Sequence, residues 1–154
     1  MTISNQKLLI EQTDKKISRL KAMEKLIIPS KGWIFTIRTA MKMSLRQLGN
    51  RLKISAQSVK EIEEREVNGS ITIKSLRDVA NALDMKLVYG IIPQKDSIEK
   101  IIEKRALELA REIVLRTSNT MKLEDQENSD VRIKKAIKSK AEEIKNEMPK
   151  YLWD

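Results

Sequence analysis

The sequence predicts an all-α fold, on three observations. Only 3% of its 154 residues are aromatic and it holds 4 Gly and 3 Pro, too few rings and turn formers for a sandwich or barrel of short strands. Charged residues make up 34%, more than in an average globular protein, which suits solvated helix faces. Apolar residues recur at spacings of three, four and seven along most of the chain. The length fits one compact core with extensions.

The elements follow in order. Leu9, Thr13, Ile17, Leu20 and Ile27 lie at near-helical spacing, so residues 6–28 read as an amphipathic helix whose outer face carries Lys15, Lys16, Arg19 and Lys21. Pro29 and Gly32 end it. Its single apolar stripe needs a partner surface, in the same domain or in a second chain. Trp33, Ile34, Ile37, Ala40 and Met41 form the stripe of the next helix. Ser44 caps one with Leu45, Leu48 and Leu52, and Ser55 caps another with Val59 and Ile62. After the Asn68-Gly69 turn, Thr72 caps a helix with Leu76, Val79, Ala80 and Leu83.

Residues 86–92 are the one strand-like segment, rich in β-branched side chains and ended by Pro93. A lone strand leaves its backbone groups unpaired, so Leu87, Val88, Tyr89 and Ile91 are expected to pair with their own copies across a two-fold dimer. The alternative is an irregular apolar connector packed on the core. From Asp96, where Asp96-x-x-Glu99 resembles a capping box, Ile98, Ile102, Ala106, Leu109 and Ile113 follow on one helical face. The polar stretch 124–130 interrupts the pattern, and Ile133, Ala136, Ile137, Ala141, Ile144 and Met148 form a last helix. The tail Tyr151-Leu152-Trp153-Asp154, with two of the five aromatics, reads as pinned to something apolar. The divisions are thus 1–31, an N-terminal helix and linker; 32–93, a binding unit with a short strand; and 94–154, a helical extension.

Charge and missing residue types narrow the function. With 31 basic against 22 acidic residues the chain carries +9. Residues 1–31 hold seven basic and three acidic groups, 32–93 ten and six, and 94–154 fourteen and thirteen. The excess sits in the first two thirds and points to a polyanionic partner. There is no Cys and no His, so disulfides, thiolate chemistry and imidazole ligands are excluded. No Gly-rich phosphate loop, nucleophile elbow or metal-ligand spacing occurs. Pairs such as Glu142 with Glu143 read as solvated faces, and no catalysis, cofactor or metal is expected. No apolar run has signal-peptide or membrane-span length, so a cytoplasmic, nucleoid-associated protein is expected.

The informative stretch is 44–63. Leu48, Leu52, Ile54, Val59 and Ile62 supply the apolar contacts of two steeply crossing helices, and Gly49 supplies the small residue where they approach most closely. That set matches a helix-turn-helix, whose second helix enters the DNA major groove by its N-terminal end. Its outer side is Ser55, Ala56, Gln57, Ser58, Lys60 and Glu61, the candidate base contacts. Gln can bind adenine bidentately, Ala can touch a thymine methyl, and Glu can accept from cytosine N4. Arg46, Arg51, Lys53, Thr72, Lys74 and Ser75 are the candidate phosphate contacts, aided by backbone N–H groups at helix starts. Two features oppose this reading. Lys53 stands where Gly would ease a left-handed turn, at a cost of about 1–2 kcal/mol. Glu61, Glu63, Glu64 and Glu66 load the second helix with negative charge.

Residues 32–92 resemble the Cro/C1-type (XRE) helix-turn-helix domain. Gly32-Trp33-Ile34, the run 43–48, the run 71–76 and Leu87-Val88-Tyr89 resemble more specifically the family called mobile mystery protein A, and the stretch 117–121 and Leu152-Trp153 also fit. The resemblance implies a bacterial regulator on mobile elements beside a partner with a Fic-type domain, the arrangement of an antitoxin and its toxin. Fic domains typically move AMP from ATP onto a protein hydroxyl. Inhibitors of that fold often carry Ser/Thr-x-x-x-Glu-Gly/Asn, whereas here Thr120-x-x-x-Glu124 is followed by Asp125. The expectation is therefore a homodimeric, sequence-specific autorepressor of a palindromic operator in double-stranded DNA, with half-sites about one helical turn apart. The competing reading is an antitoxin that captures its toxin through the C-terminal helices; those helices could instead enlarge a dimer interface or wrap the N-terminal helix.

Overall fold

A computed structural model describes residues 2–118 and 126–154, with 126–129 described by backbone alone. Among the described residues the chain is all-helical, with seven α-helices, two short 3-10 segments and no strand. It forms two compact units, Ala22–Gly90 and the pair Met1–Lys21 with Ile91–Asp154. No helix among the described residues is long and apolar enough to cross a membrane.

The unit Ala22–Gly90 is built from α2 (Trp33–Ala40), α3 (Leu45–Leu52), α4 (Ala56–Asn68) and α5 (Ile73–Ala82). Each contributes one apolar stripe to a core of Ile34, Leu48, Val59, Val79 and Leu83, flanked by Ile37, Leu45, Leu52, Ile62 and Leu76. The hydroxyls of Ser44, Ser55 and Thr72 each accept an N–H from the third residue of the helix that follows. At Ser44 the cap is reciprocal, because Gln47 Oε1 accepts the Ser44 N–H at 2.8 Å. Gly69, at φ 79°, ends α4 in the left-handed conformation that glycine tolerates best.

Two carboxylates of α4 tie it to α2. Glu63 pairs with Arg38, and both are buried. Glu66 accepts the N–H groups of Trp33 at 2.7 Å and Ile34 at 2.9 Å, so the negative charge sits on the positive end of α2. Gly32, at φ 82°, makes room for it: a β-carbon there would lie 2.7 Å from Glu66 Oε2.

The other unit joins α1 (Ile3–Ser18) to a hairpin of α6 (Ile98–Ser118) and α7 (Gln126–Glu147). Ile102, Ala106, Ala110, Ile144 and Leu152 form its core, with Ile10 of α1 packed against it. Ala106 and Ala110, one turn apart, let the neighbouring backbone come close. Asp14 accepts the N–H groups of Ile98 at 2.8 Å and Glu99 at 3.2 Å, so α1 caps α6. Lys145 reaches from α7 to Glu103 at 2.6 Å and Glu99 at 3.3 Å on α6.

Several expectations need correction. Within one chain residues 86–92 are not a strand, since no other described segment lies beside them to pair with; the pairing with a second copy is not shown. Of the four residues assigned to a dimer strand, Leu87 is half-buried, while Val88, Tyr89 and Ile91 are 60%, 63% and 86% exposed. Leu87 and Ile92 are the half-buried members of the segment. α1 stops at Ser18 instead of continuing to residue 28: Ser18 Oγ donates to the Lys15 carbonyl, the Arg19 N–H bonds Lys16, and a 3-10 turn follows at Lys21–Lys25. Asp96 does not cap α6, since its own φ is 55°; Ser97 and the distant Asp14 do so. α7 begins at Gln126, seven residues before Ile133, so the polar run does not delay it. Leu152, fully buried, anchors the tail, whereas Tyr151 and Trp153 stay about half exposed. Arg105 holds that tail by donating to the carbonyls of Leu152 at 2.6 Å and Asp154 at 2.7 Å. Thr120, Glu124 and Asp125 lie outside the described residues.

Candidate nucleic-acid interface

The candidate site is the outer edge where α3 turns into α4. α3 ends at Lys53, whose φ of 58° and ψ of 40° put it in the left-handed region that its sequence position had made a concern. The Ile54 N–H then bonds the Gly49 carbonyl at 2.9 Å. Gly49 is buried, and a β-carbon on it would lie 2.6 Å from the Ile54 carbonyl oxygen. The absence of that carbon lets the turn fold flat against α3 and fixes the direction in which α4 departs.

α4 then divides its residues by face. Val59 and Glu63 point inward and are buried, with Ile62 half-buried beside them. Gln57, Lys60 and Glu61 are exposed, Ser55 is exposed at the cap, and Ala56 and Ser58 are half-buried. Apart from Ala56, the candidate base-contacting residues thus fall into two groups. Ser55 and Ser58 are occupied with each other: Ser55 Oγ accepts the Ser58 N–H at 3.0 Å and lies 2.9 Å from Ser58 Oγ. Gln57, Lys60 and Glu61 hold no side-chain hydrogen bond or ion pair among the described residues.

The candidate phosphate contacts divide similarly. The side chains of Arg46 and Lys53 hold no hydrogen bond or ion pair among the described residues, and both residues are exposed. Arg51 is turned to α5, donating to the Ala82 carbonyl at 2.9 Å and lying 3.5 Å from Asp84. Lys74 pairs with Asp78 at 2.8 Å, although its side chain remains 83% exposed and that pair is weak in water. Thr72 and Ser75 form the α5 cap, the Ser75 N–H donating to Thr72 Oγ1 at 3.1 Å.

The acidic residues of α4 fall out differently from the sequence reading. Of four carboxylates, Glu63 and Glu66 face inward onto Arg38 and the start of α2, and only Glu61 and Glu64 remain on the surface. The signal was present: Glu63 and Glu66 lie four and seven residues beyond Val59, in register with the buried stripe, and a carboxylate there demands a partner. The exposed edge therefore presents Arg46, Lys53, Gln57, Lys60 and Glu61, an excess of cations beside one hydrogen-bonding amide.

No family model, curated protein or solved structure matches this chain.

Proposed function

We propose that the chain is a homodimeric, sequence-specific DNA-binding regulator of the Cro/C1-type helix-turn-helix class, an autorepressor of the mobile mystery protein A kind. The observation that carries this reading is the free edge of α4. Gln57, Lys60 and Glu61 stand outward and unengaged on a short helix whose direction is set by Gly49, with Arg46 and Lys53 beside them. An α-helix start of this width fits the major groove, where Gln57 can read adenine and Glu61 can accept from cytosine. Arg46 and Lys53 then neutralise phosphates on the rim. Exposed Val88, Tyr89 and Ile91 supply the apolar surface through which two copies associate, bringing two α4 helices onto one duplex.

A gel shift of the full chain on the promoter of its own operon, repeated across salt concentrations, tests this. Specific binding with log affinity falling steeply against log salt is the expected result. Affinity indifferent to salt, or no preference over random duplex, overturns it.

A second reading is favoured by the helical hairpin. α6 and α7 enclose a core of their own with α1, and the DNA-reading edge uses none of it. That hairpin would capture a partner protein, by the family resemblance a Fic-domain toxin. Co-purification of the full chain with the product of the neighbouring gene supports it, and a failure to co-purify removes it.

A further inference from the structure

The balanced charge of the last third conceals a segregation along the hairpin. Toward the end where α6 begins and α7 ends, three acids are engaged: Glu103 with Lys100 and Lys145, Glu99 with Lys145, Glu143 with Lys140. From Val131 to Lys140 α7 carries Arg132, Lys134, Lys135, Lys138 and Lys140 with no acid among them. Opposite this stretch α6 presents Leu107, Arg111 and Leu115, one turn apart on one face.

Six residues from both helices line a groove of about 500 Å³. Leu107, Leu115 and Ile137 supply its apolar surface and Arg111, Lys134 and Lys138 its cations. Leu107 and Leu115 are each 41% exposed. None of the three cations holds a hydrogen bond or ion pair among the described residues.

We propose that this groove is the docking site for an acidic amphipathic helix of a partner protein. The inference deepens the capture reading of the hairpin and rests on it. A groove between two antiparallel helices takes the ridge of a third. The leucines call for apolar side chains at i, i+3 or i+4, and i+7 on that ridge, and the cations call for Glu or Asp along its flanks. A phosphate backbone would leave the leucines without apolar contact. A second copy docked two-fold through the same groove would set Arg111, Lys134 and Lys138 against their own equivalents. Charge complementarity therefore selects the acidic partner.

The test is selection from a displayed library of helical peptides on the full chain, with Arg111→Glu/Lys134→Glu/Lys138→Glu as the counter-target. These side chains are exposed, so the triple variant keeps the fold, which circular dichroism checks. Enriched peptides are expected to be acidic, with apolar residues at helical spacing, and to bind the triple variant about tenfold or more weakly. Leu107→Ser/Leu115→Ser is expected to weaken the same peptides. Peptides that bind wild type and triple variant alike would keep the hairpin as a capture module but remove the groove. Enrichment of nothing, or of basic peptides only, overturns the groove. So does a 20-base-pair duplex that displaces the peptides from it, or self-association of the chain abolished by the triple variant.

Discussion

Arg38 of α2 grips Glu63 of α4 by both carboxylate oxygens, Nε to Oε1 at 2.5 Å and Nη2 to Oε2 at 3.2 Å, with each side chain 9% exposed. Its remaining nitrogen donates to the Met43 carbonyl at 2.8 Å, so one guanidinium joins α2, α4 and the turn leading to α3. Such a pair fixes an arrangement more than it adds stability. Arg38→Met or Glu63→Leu alone leaves an unpaired buried charge and is expected to cost about 3–5 kcal/mol in urea unfolding. The double variant is expected to recover most of that loss, short of the Met43 bond. A double variant as unstable as either single one would mean that the pair is net stabilising.

Gly49→Ala tests the close approach beneath the candidate DNA edge. The added carbon meets backbone, which cannot swing aside as a side chain can. A loss of about 1–3 kcal/mol is expected in thermal or urea unfolding. Because α4 must shift to admit the carbon, DNA affinity is expected to fall at temperatures where the variant is fully folded.

Lys53→Gly separates stability from binding. Glycine relieves the left-handed strain at the end of α3 and is expected to raise stability by roughly 0.5–1 kcal/mol after its own entropic penalty. The same change removes a cation from the DNA edge, so the salt dependence of binding should flatten by about one phosphate contact. Unfolding and gel-shift measurements on one variant should move in opposite directions.

Gln57→Ala and Arg46→Ala distinguish reading from anchoring. Loss of Gln57 is expected to relax base preference at one operator position by roughly 1–3 kcal/mol without loss of stability, since Ala suits an exposed helix site. Loss of Arg46 should weaken all duplexes alike. Selection of bound duplexes from a random pool, run with each variant, checks both, and the opposite pattern would exchange the two roles.

The hairpin should show a pH dependence set by Glu103. Hydrogen bonds from Lys100 and Lys145 hold its carboxyl below the ordinary range, while Glu103 in turn raises both ammonium groups. The carboxylate's share of stability is full above the unfolded value of about 4.3 and is lost as pH falls through the depressed one. The lysines' share is full below about 10.4 and is lost as pH rises through their raised values. Glu103→Gln is expected to lower Tm at neutral pH and to converge with wild type on acidification. Parallel Tm curves down to strong acid would place the dependence elsewhere.

What the sequence made legible was local. The caps at Ser44, Ser55 and Thr72, the apolar stripes of α2 to α5 and the need for Gly49 depend on neighbours a few residues away, and each stands where its pattern places it. The candidate edge was legible as a face, but not the engagement of its members, because Arg51 is diverted by a carbonyl on α5 and Glu66 by the start of α2. Long-range capping was equally hidden: Asp14 caps α6 from the far end of the chain. At 86–92 composition alone could not decide, since β-branched residues favour a strand only when a second backbone is present, and none is within one chain. In the tail the core is filled by Leu152, whose carbonyl Arg105 holds, while the two rings stay about half exposed.

The unit containing α1 is assembled from both termini, with α2 to α5 inserted between them. A ribosome therefore delivers α1 well before the helices it packs against. All of Ala22–Gly90 emerges and can fold before α7 has been synthesised. Until α6 and α7 have both emerged, Ile10 lacks the core of its own unit to pack against.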